Sequence, residues 1–240
     1  MSTLIFGSLL IAFLIFIYPF LDIKYTTSLK EKKDSESRLR YYKFVIGSEW
    51  LVVFVVIAFV LIAPATNFKS IGITMSENLE QYLGMIVGFL AGVAFLVLVL
   101  MRIPLFKKKQ DKSIESMDFL LPASKLERKW SVFVAITAGI CEEIIYRGFV
   151  IHYLTSLSIE LEQIYILIIS AAIFGFAHAY QGWKGILLTG LMGYVFANVY
   201  IQTGSLLFPI LLHIIIDMRS FLFAKPLPKE NNQSVQQSIS

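Results

Sequence analysis

A single cysteine, Cys141, in 240 residues excludes an intramolecular disulfide and any zinc site built on cysteine pairs. Charge is scarce as well. Only 16% of the residues are Asp, Glu, Lys or Arg, where a soluble domain carries about a quarter. No internal repeat is visible. The opening stretch MSTLIFGSLLIAFLIFIYPF has no basic residues ahead of its apolar run, and that run is longer than a signal-peptide core. It reads as a retained anchor helix.

Apolar residues make up 57% of the chain, and the mean hydropathy is +0.71. They gather in stretches of about 20 residues, the length that crosses a bilayer core. The expected fold is therefore all-α: a polytopic membrane bundle of about seven transmembrane helices. The spans are expected near 3–21, 44–64, 82–101, 130–151, 163–180, 184–201 and 205–223. Three regions follow: N-terminal membrane helices with basic cytoplasmic loops over 1–120, a core of helices over 121–223, and a Ser/Gln/Asn-rich tail over 224–240 that reads as solvated and disordered.

Orientation comes from the distribution of positive charge. Segment 22–43 holds seven Lys/Arg and segment 102–129 holds eight; segment 65–81 holds only Lys69, and segment 152–162 none. The positive-inside rule places the two rich segments in the cytoplasm, the N-terminus outside and the tail inside. Lys184, Lys225 and Lys229 agree with that arrangement. The net charge of +4 thus points to anionic lipid at the basic loops, not to nucleic acid. Ahead of the fourth span, LPASKLERKW offers Ser124 and Glu127 at the spacing of a capping box. That helix is expected to start in the cytoplasmic interface.

Charged groups at bilayer depth are costly and face the bundle interior or a wet cavity. In the first three spans Glu49 stands alone, and its place near the cytoplasmic end of its helix suggests a side chain that reaches the interface. The last four spans hold Glu142, Glu143, Arg147, His178, His213 and Asp217. Glu143 and Arg147 are four apart and share a face, so they can pair. Glu142 lies about 100° around the helix and has no mate there, so it needs a partner from another helix or a proton. Phe174 precedes His178 by four residues, and His213 precedes Asp217 by four. At ~1.5 Å per residue, Glu142, His178 and Asp217 fall at similar depth; His213 is shallower and requires a tilt or bend. The same residue types serve structural ion pairs, proton relays and ion sites, and these readings stay open on spacing alone. Cys141 reads as a packing residue.

The three motifs together carry a resemblance. EEIIYR fits EExxxR, FGFAH fits FxxxH and HIIID fits Hxxx(N/D), in that order over Glu142 to Asp217. This resembles the CPBP family (CAAX protease and bacteriocin-processing, or Abi, proteins), intramembrane proteases related to the type II CAAX prenyl endopeptidases. The resemblance implies a glutamate-type endopeptidase in which Glu142 and His178 activate a water, His213 and Asp217 stabilise the oxyanion, and Glu143 and Arg147, with Phe174, brace the site or position substrate. It implies a peptide or membrane-protein substrate, while the compact, isoleucine-rich chain points to a bacterial plasma-membrane location. Since an Asp donates only when protonated, Asp217 is expected instead to hold the His213 ring. No cofactor is expected. The alternative is a divalent metal such as zinc at Glu142, His178 and His213, although no HExxH occurs in the chain. A binding-only membrane regulator or a bacteriocin self-immunity protein is the alternative to catalysis.

Overall fold

The computed structural model describes residues 2–32, 34–63, 66–76, scattered positions between 78 and 102, 118–159 and 161–222. The expected span at 82–101 falls mostly outside these residues. The lysine-rich part of the second basic segment and the tail at 224–240 fall wholly outside them. Among the described residues all regular structure is helical, so the all-α bundle stands.

Helix α1, Ser2–Ala12, runs through a π-helical stretch, Phe13–Ile17, into α2, Tyr18–Lys32; α3 follows at Ser35–Ile62. The basic segment 22–43, read from composition as a loop, is thus mostly helical. What separates α2 from α3 is a short break closed by Asp34. Its carboxylate accepts from the Ser37 N–H and the Ser37 hydroxyl, both at 2.8 Å. Those two donors hold the Asp34 carboxyl below its ordinary range.

The second half of the bundle starts at α4, Lys125–Glu142, which continues as a π-helical stretch, Glu143–Val150, and α5, Ile151–Thr155. Helices α6, Gln163–Ala177, α7, Gly182–Thr203, and α8, Leu207–Leu222, complete it. Among the described residues, Leu4–Lys32, Ser35–Ile62 and Ala179–Thr203 are long and apolar enough to cross a membrane, and two shorter apolar helices, Gln163–Ala177 and Leu207–Met218, accompany them. Large apolar side chains such as Phe16, Phe54, Ile62, Leu187 and Leu191 point outward. Such a surface suits acyl chains and is rare on a soluble monomer.

Bare backbone brings the helices together where the site lies. A Cβ on Gly175 would sit 2.6 Å from the Ile186 carbonyl oxygen, with Gly190 also in contact. Helices α6 and α7 therefore meet main chain to main chain, as small residues allow in membrane bundles. Gly139 does the same for α8, since a Cβ there would strike Ile214 at 2.4 Å. That close approach carries His213, the residue before Ile214, to α4 and removes the depth mismatch seen in the sequence.

At one end of the bundle a polar clasp joins the two halves. Ser124 caps α4, its hydroxyl accepting from the Glu127 N–H at 3.2 Å. The Glu127 carboxylate reaches back past the capping-box position to the Ala123 N–H at 2.7 Å. It also accepts from the Ser35 hydroxyl and from Arg38 at 2.8 Å. Arg38 donates again, through Nε, to the Phe119 carbonyl at 3.1 Å. Burial works against the charged Glu127, but the Ser35 hydroxyl, the Ala123 N–H and the Arg38 guanidinium outweigh it and hold the carboxyl below its ordinary value.

Two outcomes follow from this packing. A depressed carboxyl contributes stability above its unfolded-state pKa and loses it as pH falls through the folded-state one. Acidification below the usual carboxylate range should therefore lower the unfolding temperature of the detergent-solubilised protein, and Glu127→Gln should remove that component. The same unfolding assay should show Gly175→Ala less stable, because the Ile186 backbone must move; an unchanged midpoint would count against the main-chain contact.

Candidate active site

Every ionisable residue singled out in the last four spans lies in one cluster. Glu143 and Arg147 are fully buried and joined at 3.0 Å through Glu143 Oε1 and Arg147 Nη1. The pairing expected from four-residue spacing survives although the segment is π-helical, a form that recurs at functional sites. Arg147 also donates through Nη2 to the Gly193 carbonyl at 3.2 Å. Its guanidinium stacks over Phe174, 4.2 Å from the ring centroid, and lies 5.3 Å from that of Phe196. Cation–π contacts of this kind replace part of the hydration a buried guanidinium gives up.

The same carboxylate oxygen, Glu143 Oε1, takes His213 Nδ1 at 2.7 Å. A carboxylate can only accept, so Nδ1 carries the proton and donates. The His213 ring is thus held by Glu143, with Phe196 5.1 Å away between centroids. Its other nitrogen, Nε2, faces Asp217 Oδ2 at 3.6 Å and Glu142 Oε2 at 3.7 Å. Both distances exceed a direct hydrogen bond. Holding the ring, a role expected of Asp217, is carried in this geometry by Glu143.

His178 follows α6 as its C-terminal cap. Its Nδ1 bonds the Phe174 carbonyl at 2.9 Å. A carbonyl only accepts, so Nδ1 donates and the neutral ring presents a lone pair at Nε2. That atom lies 3.9 Å from Glu142 Oε2. Phe174 therefore works twice, its carbonyl fixing the His178 tautomer and its ring packing against Arg147, Tyr146 and both imidazoles. Glu142 Oε2 is buried without a hydrogen-bond partner, as are Glu143 Oε2 and Arg147 Nε. Gaps of 3.6 to 3.9 Å between such groups are the spacing a bridging water spans.

Accessibility rises in one direction. Side-chain exposure is 0% at Glu143 and Arg147, 6% at His213, 13% at Glu142, 16% at His178 and 33% at Asp217. The bracing pair is sealed, whereas the edge formed by His178 and Asp217 is open. Zinc would need its ligand atoms about 2.0–2.2 Å from one centre. Among the described residues no group of three or more His, Cys, Asp and Glu is arranged to hold a metal ion.

Glu49 corrects its sequence reading. It does not reach the interface: it is 3% exposed, with Oε2 unpartnered. Its carboxyl lies against that of Glu142, and both line one small cavity with Tyr18 and Tyr146. Its burial in the site is a contact between helices distant in sequence, and no spacing within α3 signals it. Cys141 is buried behind Glu142, as a packing residue would be.

Residues 126–219 match the family model described as Type II CAAX prenyl endopeptidase Rce1-like. The match takes in every motif from Glu142 to Asp217 and shows what this part of the chain is similar to. Neither the curated proteins nor the solved structures contain a match.

The division between sealed and open groups can be tested by abundance. Arg147→Met leaves Glu143 buried without its cation, a loss of about 3–5 kcal/mol for a broken buried pair. Glu143→Gln weakens the hold on both Arg147 and His213. Both variants should accumulate poorly in membranes, whereas Glu142→Gln should match wild type by immunoblot. Equal loss in all three would contradict this assignment.

Proposed function

We propose that this chain, whose residues 126–219 match the Rce1-like family model, is a CPBP/CAAX-type, glutamate-dependent intramembrane endopeptidase. It hydrolyses a peptide bond in a membrane-associated or small peptide substrate. The observation that carries the reading is the convergence of Glu142 Oε2 with two imidazole Nε2 atoms from separate helices at 3.7 and 3.9 Å.

A water between Glu142 and His178 meets two acceptors, the carboxylate oxygen and the Nε2 lone pair. As its oxygen bonds to the substrate carbonyl carbon, its proton passes to this pair, the general-base step. The carbonyl π electrons move onto oxygen. His213 in its doubly protonated form keeps Nδ1–H on Glu143 and has Nε2–H to donate to that oxyanion, in a site shielded from bulk water. Asp217 and Glu142 lie beside Nε2, at 3.6 and 3.7 Å. The oxyanion electrons then re-form the C=O as the C–N bond breaks and the stored proton goes to the leaving nitrogen, giving a carboxylic acid and an amine, which settle as carboxylate and ammonium. No step uses a metal.

In the orientation set by the basic segments, the open edge at His178 and Asp217 lies toward the cytoplasm. Substrate is then expected from that side, where the basic surface favours anionic lipid and acidic peptides.

Substrate-trapping proteomics on matched membranes tests the reading. Glu142→Gln should leave an uncleaved precursor that wild type removes. With that precursor as substrate, turnover should fall about 10²–10⁴-fold in Glu142→Gln and His178→Gln, and chelators should leave the wild-type rate unchanged. If no precursor accumulates while Glu142→Gln inserts and keeps the wild-type phenotype, the binding-only regulator replaces the protease. Loss on chelation with recovery on added zinc would replace the metal-free mechanism.

A further inference from the structure

Glu49 is a buried acid in a place that spacing alone leaves unexplained. It sits in the middle of α3, 3% exposed, with Oε2 lacking any hydrogen-bond partner. Its carboxyl contacts that of Glu142. Leu14, Tyr18, Val52, Ile145 and Tyr146 close the rest of the cavity that the two acids share. Two carboxylates in contact at this depth cannot both be ionised, since like charges repel strongly in a medium of low dielectric. One proton must lie between them.

The surroundings decide which acid holds it. Among the described residues, the titratable groups that share the cavity with Glu49 are Glu142, Tyr18 and Tyr146, and the charges of Asp22 and Asp217 also act on it; none of these is a cation. The groups facing Glu142 include the cations Arg147 and His213 as well as Glu143. Negative charge is favoured on Glu142 and the proton on Glu49.

We infer that Glu49 is the proton-holding partner of a carboxyl pair with Glu142, donating a hydrogen bond that turns the free oxygen of Glu142 toward His178 and His213. Glu49 touches no reacting atom. It is a positioning residue, and its consequence for turnover rests on the protease reading above. A carboxylate hydrogen-bonded on one oxygen has its rotation fixed. Without that donor the Glu142 side chain is free to swing into the cavity toward Tyr18, and Oε2 leaves the imidazoles.

Two arms test this, one of them independent of activity. Infrared spectra of the purified full-length protein in lipid nanodiscs, at neutral pH, should show a protonated-carboxyl C=O band in wild type. That band should vanish in Glu49→Gln and persist in Glu142→Gln. A band retained in Glu49→Gln and lost in Glu142→Gln would put the proton on Glu142 and overturn the inference. The kinetic arm uses the trapped precursor. Glu49→Leu should lower kcat about 10–100-fold, the worth of one charge-assisted hydrogen bond, with KM little changed. Glu49→Gln, whose amide still donates, should recover most of that loss. Equal impairment in both variants, with unfolding temperatures at wild-type level, would also overturn it. If wild type cleaves nothing, the protease reading fails, and the infrared arm still decides whether Glu49 holds the proton.

Discussion

The Glu143 carboxylate is the point on which the rest of the site hangs. One of its oxygens is shared between Arg147 and His213, two groups on different helices, in a place with no access to water. A buried carboxylate is tolerated only with such partners, and they are oriented in turn by what they contact. Arg147 is fixed by the Gly193 carbonyl and the faces of Phe174 and Phe196. His213 is fixed by the carboxylate itself. Satisfying one buried charge therefore sets the relative position of α4, α6, α7 and α8.

The proposed chemistry sits one residue earlier. Glu142 leaves the helix at a different angle from Glu143, so it escapes the bracing network and faces the imidazoles with an oxygen that nothing in the protein occupies. On the proposed reading, adjacent glutamates thus divide structural and reactive work through their directions around the helix. The two histidines are distinguished in the same manner. A carbonyl beneath His178 leaves its outer nitrogen as an acceptor, and a carboxylate beneath His213 favours a donor. One imidazole suits taking a proton and the other suits facing an oxyanion.

Much of this was legible in the sequence because it is local. The Glu143–Arg147 pair, the Phe174–His178 face and the isolation of Glu142 all follow from counting residues along a helix. The fold class followed from apolar length. Contacts between helices were not legible. Glu49 looked interfacial because the basic residues before it were read as a loop, whereas α3 begins at Ser35 and carries that charge on helical turns. The holder of the His213 ring came from another helix. The π-helical stretch over Glu143–Val150 was hidden too, since an apolar pattern does not distinguish a slightly wider turn from an ordinary one.

On the proposed protease reading, the exposure gradient from Arg147 to Asp217 has a consequence for how hydrolysis is supplied. Among the described groups the reactive cluster opens at a single edge, so the nucleophile and the peptide share one entrance. A docked substrate would cork it. Each turnover would then consume a water molecule already inside when the peptide arrived, and the next could enter only after a product fragment had left.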